Sequence, residues 1–95
     1  YCMAKAGLAM MTLSLANELA PEVRVNAIAP GAIIWPSNGI SAQDVSQVIA
    51  NIPLGRKGQV GDITTTVCYL LDSHYVTGQI IAVDGGRCIS ASTGA

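Results

Sequence analysis

Phenylalanine is absent from these 95 residues, and three Tyr and one Trp supply all the aromatic rings apart from the single imidazole. Any core must therefore be built from Ala, Val, Ile, Leu and Met. Charge is scarce too: 12% of residues are charged and the formal net charge is −1, which argues against a nucleic-acid surface. A hydrophobic content of 51% excludes a disordered chain. The longest charge-free stretch, Val25 to Gln43, is interrupted by Pro30, Gly31, Pro36, Ser37, Asn38 and Gly39, so it does not read as a membrane helix. Cys2, Cys68 and Cys88 form no Cys-x-x-Cys and are odd in number. They read as reduced, buried thiols of a cytoplasmic protein. His74 has no second ligand near it in the sequence, so no metal site is expected. The chain opens at Tyr1 without an initiator Met or signal peptide. It is also greasy for a free-standing domain, which at this size still exposes roughly 35–40% of its extended-chain surface. The expectation is a fragment whose apolar faces have partners elsewhere.

Ala4 to Ala20 reads as a helix, with Ala4, Leu8, Met11, Leu15 and Leu19 on one face. Pro21 ends it. Its other side carries Ala6, Gly7, Ala9, Met10 and Leu13, so the helix is expected to be covered on two sides, one of them by another subunit. Val23 to Ile28 is a short β-branched strand broken by Ala29-Pro30-Gly31. Ser41 is a candidate N-cap for a helix through Asn51, with Asp44 at the third position. After the connector Pro53 to Gly58, another helix starts at Gly61 or a neighbour, with Ile63, Val67, Leu70 and Leu71 as its apolar stripe and Asp62 near its positive end. Arg56 and Lys57 read as a solvated loop, and Arg87 as a solvated or interface charge. Gln79 to Val83 is nearly all apolar, the pattern of a strand covered on both faces, and Asp84-Gly85-Gly86 turns the chain. The tail from Ser90 is expected to fray. The element order is half of an alternating α/β pattern, and two strands alone do not make a stable parallel sheet. No internal repeat or linker marks a domain boundary.

Tyr1 and Lys5 stand four apart, on one face of a helix about one turn from each other. A phenol ordinarily titrates near ~10, too high for efficient acid–base work at neutral pH. A neighbouring ammonium favours the phenolate and lowers that value. Tyr-x-x-x-Lys thus pairs a proton donor with its own electrostatic tuner. At the end of the first strand, Pro30 stops the ladder and Gly31 lets backbone approach a ligand closely, leaving amide and carbonyl groups to grip it. Ligands of open α/β sheets bind at that end of the strands. The segment Val76 to Gly86 carries no evident chemistry and reads as a buried strand and a turn.

In this order, Tyr1-x-x-x-Lys5, Arg24-Val25-Asn26 to Pro30-Gly31, and Thr77-Gly78 to Val83-Asp84-Gly85-Gly86 resemble the C-terminal part of the short-chain dehydrogenase/reductase family, from Tyr1 to about Ile89. The resemblance implies an α/β fold, the C-terminal part of a Rossmann-type doubly wound parallel sheet that lacks its N-terminal cofactor-binding half. Residues 1–95 would form the C-terminal catalytic part of a single domain. It implies hydride transfer from a nicotinamide cofactor by a homotetramer or dimer that pairs through the Tyr1–Ala20 helix. Tyr1 would be the general acid. Lys5 would hold the nicotinamide ribose and lower the phenol's pKa, and Pro30, Gly31, Ala32 and Ile33 would meet the nicotinamide end. The phosphate turn, the catalytic Ser or Asp, the relay Asn and the residue selecting NAD or NADP all precede the family's tyrosine.

The loop departs from the common family pattern, which places Thr where this chain has Trp35, followed by Pro36. Ala29-Pro30-Gly31-Ala32-Ile33-Ile34-Trp35-Pro36 resembles bacterial pteridine reductases, whose loop runs Pro-Gly-Ala-Ile-Leu-Trp-Pro. An indole offers a wide apolar face and one donor, suited to a flat pterin with polar edges. The resemblance implies NADPH-dependent reduction of a dihydropterin or dihydrofolate, with Tyr1, Trp35 and Pro36 at the substrate. The alternatives are a short-chain enzyme acting on a carbonyl or alcohol, such as a 3-oxoacyl thioester, and a non-catalytic oligomerising fragment.

Overall fold

The computed structural model describes residues 2–33 and 41–92, with backbone alone for Cys2, Ala4, Lys5 and residues 90–92. The elements are α1 (Cys2–Leu19), β1 (Ala27–Pro30), α2 (Ala42–Ala50), α3 (Val60–Asp72), β2 (Ile80–Val83) and α4 (Arg87–Ser92). The strands pair in parallel, Ala27 opposite Ile80 through Pro30 opposite Val83, and α3 packs on both. Parallel neighbours need a long crossover, which the stretch carrying α2 and α3 provides.

The first strand lies further along the chain than the pattern Val23–Ile28 predicts, and it runs into Pro30 instead of breaking before it. The amides explain both. Ala27 donates to the Gln79 carbonyl at 2.8 Å and Gly31 to that of Val83 at 2.9 Å. Odd-numbered residues therefore aim their N–H groups at β2, and Pro30, which has none, falls on the opposite edge where the ladder loses nothing.

Residues 23–26 bond sideways into the turn before β2. Val25 N–H donates to Thr77 Oγ1 at 3.1 Å, and its carbonyl accepts from Gly78 at 2.8 Å. The Asn26 amide bridges that turn, donating to the Val76 carbonyl at 3.0 Å and accepting from Gln79 N–H at 3.0 Å. Arg24 reaches the end of α3, donating through Nη1 to the carbonyls of Leu70 (2.8 Å) and Ser73 (3.0 Å) and through Nη2 to that of Leu71 (3.3 Å). A guanidinium suits the negative end of a helix, where carbonyls lack partners. Arg24→Ala in the full-length protein is therefore expected to reduce the free energy of unfolding by about 1.5–3 kcal/mol, the range for hydrogen bonds to a charged group. Urea denaturation measures it, and an unshifted midpoint would remove the clamp from the account.

Helix α1 ends at Leu19, before Pro21, as the sequence predicts. The covered face differs. Thr12 and Ala16 are buried, whereas Leu8, Met11 and Leu19 of the predicted stripe are exposed, as are Met10 and Leu13. Thr12 tolerates burial because its hydroxyl donates to the Leu8 carbonyl at 2.9 Å. With apolar residues all round, nothing in the sequence selects the contact face. Covering by a second subunit lies beyond a single chain. On α3 the half-buried residues are Asp62, Ile63, Thr66 and Leu70, while Val67 and Leu71 are exposed. Strand β2 is covered on one face only: Ile81 and Val83 are half-buried, Ile80 and Ala82 exposed. Ser41 caps α2 as predicted, accepting from Asp44 N–H at 3.1 Å. Cys68 and Cys88 are exposed and not joined in a disulfide, contrary to the expectation of burial. No helix among the described residues is long and apolar enough to cross a membrane.

Candidate functional site

Both strands point their carboxyl ends to the same edge, where three segments converge: residues 31–33 after β1, the connector 52–58, and residues 84–86 after β2. Gly31 is pressed against the last of these, so that a Cβ on it would stand 2.7 Å from Asp84 Cα. Leu54 N–H donates to the Gly85 carbonyl at 3.0 Å, and Gly58 N–H to that of Ala32 at 2.8 Å. Gly85 has φ +65° and lies over Ile52, one of the two buried apolar side chains among the described residues. A cavity of about 690 Å³ opens between these segments and α3, lined by Ala32, Ile33, Leu54, Thr66 and Val83 among others.

The carboxylates at this edge are already engaged. Asp84 accepts from the amides of Gly86 (3.0 Å) and Cys88 (3.2 Å). Its carboxyl is held below the ordinary value of 3.8 by the Cys88 thiol hydrogen bond first and by these amides as well. The same contact pushes the Cys88 thiol up. Asp84 thereby caps the turn before α4, which begins at Arg87 and runs on into the tail from Ser90 that the sequence predicts to fray. Asp62 accepts from Gln59 N–H at 2.7 Å and pairs with Arg56 at 3.3 Å, and these lower its pKa in that order. Arg56 is thus ion-paired on the surface, not merely solvated.

Of the residues singled out from the sequence, Pro30, Gly31, Ala32 and Ile33 sit at this edge. The Gly31 amide is not offered to a ligand, as its sequence context suggests, because Val83 accepts it. Its missing side chain admits Asp84. The Lys5 backbone lies in the first turns of α1; Tyr1, Trp35 and Pro36 lie outside the described residues. Sequence reasoning passes over Gly58 and Asp84, although a glycine inside a connector and an Asp before Gly-Gly are both signals of close packing and capping.

The family model described as Enoyl-(Acyl carrier protein) reductase matches residues 1–87. The chain belongs to the short-chain dehydrogenase/reductase family. Its architecture is accordingly the C-terminal part of a Rossmann-type doubly wound parallel sheet. This short-chain dehydrogenase/reductase is 43% identical over 90 residues to dihydromonapterin reductase of Klebsiella pneumoniae, covering 92% of the chain and 36% of that protein. It is 41% identical over 90 residues to the 3-oxoacyl-[acyl-carrier-protein] reductase FabG of Buchnera aphidicola, covering 90% of the chain and 37% of that protein. The crystal structure of FolM Alternative dihydrofolate reductase 1 from Brucella canis, complexed with NADP, superposes with a TM-score of 0.83 at 38% identity. That match covers 94% of this chain and 35% of the other. The chain spans a little over a third of the length of the curated relatives it matches.

Proposed function

We propose that this chain is the C-terminal catalytic part of a single-domain, NADPH-dependent oxidoreductase that reduces a dihydropterin or dihydrofolate ring to its tetrahydro form, acting in the cytoplasm as a homo-oligomer paired through the Tyr1–Ala20 helix. The observation that carries the reading is the loop Pro30-Gly31-Ala32-Ile33-Ile34-Trp35-Pro36, of the pteridine-reductase kind. Likeness to a dihydromonapterin reductase and to an alternative dihydrofolate reductase supports it.

The described residues fit a nicotinamide end. A cavity opens beside Ala32 and Ile33, and the small side chain of Ala32 leaves backbone within reach of a flat ring. The Ala32 carbonyl, although bonded to Gly58, keeps a second lone pair. Leu13 and Ala16 lie against Gly78, at the entrance to β2. Lys5 is eleven residues before Ala16, about 16 Å of helix. A four-residue strand is about 13 Å long. The helix between them is thus longer than the strand, and in the proposed enzyme Lys5 stands at the carboxyl edge of the sheet.

The cofactor, when bound, supplies the hydride. The chain's own part is to hold and move a proton. Tyr1 donates from its phenol oxygen to the reduced ring, and the Lys5 ammonium one turn away stabilises the phenolate left behind. Trp35 lies against the face of the pterin and Pro36 fixes the loop.

The FabG relative favours a second reading, reduction of a 3-oxoacyl thioester carbonyl by the same two residues. NADPH oxidation by the full-length protein, offered dihydrobiopterin, dihydrofolate and an acetoacetyl thioester, separates them. Turnover of a pterin substrate is expected; turnover of the thioester alone would overturn the pterin reading and leave the proton donor in place.

A further inference from the structure

We infer that Gly58 is a positioning residue for the cofactor rim, fixing where Ala32 and Ile33 stand; the inference rests on reading that rim as the nicotinamide end. Two features of Gly58 act on the same two residues. Its amide donates to the Ala32 carbonyl at 2.8 Å, and a Cβ on it would overlap Ile33 Cδ1. Gly58 is not among the glycines of positive φ, so its backbone conformation is open to any residue, and space alone demands a glycine there.

What lies behind Gly58 makes it a firm stop. It precedes Gln59, the N-cap of the thirteen-residue α3, and Asp62 of that helix holds the Gln59 amide at 2.7 Å. The rim is thereby tied to the start of a helix that packs on both strands. The contact differs in kind from that at Gly31. There an added methyl meets Asp84 Cα; at Gly58 it meets the tip of a side chain, and the next atom, Asp62 Oδ2, is 3.5 Å away. Gly58→Ala therefore leaves the backbone where it is and turns Ile33 out of its rotamer.

The test is calorimetric titration of the full-length protein with NADPH, alongside steady-state kinetics with whichever substrate it turns over. Gly58→Ala is expected to raise the NADPH Kd and KM together by about 3–10-fold, the scale of an off-rotamer side chain, with kcat within about twofold. Ile33→Val removes Cδ1, and on that background Gly58→Ala is expected to change the NADPH Kd by less than about twofold. An unchanged Kd in Gly58→Ala, or a loss that Ile33→Val does not relieve, overturns the inference. So does failure of both the single and the double variant to fold, since the contact would then serve the fold and not the rim. Absence of NADPH binding in the unmodified protein would overturn the reading of the rim, and this inference with it; binding that ignores Gly58 overturns the inference alone.

Discussion

Replacing Tyr1 by Phe in the full-length protein is expected to lower kcat by at least about 10²-fold while NADPH affinity stays within about twofold. Removing one hydroxyl keeps the ring and its packing and takes away only the proton. Positioned general acids contribute typically 10²–10⁴-fold, so a loss in that range identifies the phenol as the donor. The split between kcat and binding is the diagnostic part: a purely structural Tyr would change both, or neither. Stopped-flow hydride transfer and NADPH titration on the same preparation read the two quantities. Turnover that survives in Tyr1→Phe would assign the proton to another group.

A second large loss of stability, on the scale of that at Arg24, is expected at Gly31. An alanine methyl there would stand 2.7 Å from Asp84 Cα and 2.8 Å from Asp84 Cβ, both rooted in the backbone. Neither strand end can yield easily. Gly31 N–H is bonded to Val83, and the turn after β2 is held from its other side by Leu54 on Gly85. Overpacking of this kind costs about 1–3 kcal/mol. Gly31→Ala in the full-length protein is therefore expected to lower the urea midpoint clearly. An unaltered midpoint would mean that the two strand ends do not approach so closely.

What the sequence made legible was mostly local. Pro21 stops α1, Ser41 caps α2, and the apolar run before Asp84-Gly85-Gly86 is a strand. Each depends on residues within one turn of each other. The features that it misplaces depend on distant partners. Arg24 and Asn26 look like polar interruptions of a strand until the end of α3 and the turn at 76–79, some fifty residues on, are seen to receive them. The contact face of α1 was illegible because apolar side chains surround the helix, and burial had to be decided by what packs on it. The general burial of thiols predicts Cys68 and Cys88 inside, yet each occupies an exposed helix position. At the site, the edge marked by Pro30 and Gly31 was visible from the strand-ending pattern. That Asp84 would lean on Gly31, and Gly58 on Ile33, was not, because both contacts join separate segments through a missing Cβ.

The pterin and thioester readings share one claim: a phenol made acidic by an ammonium one helical turn away. The pH dependence of kcat/KM in the unmodified full-length protein and in Lys5→Met tests it most directly. A proton donor must be protonated, so the rate falls as pH rises through its pKa. In the unmodified protein that fall is expected well below the ordinary phenol value near ~10, and in Lys5→Met it is expected to move up toward it. An alkaline limb at the same pH in both proteins would contradict the account.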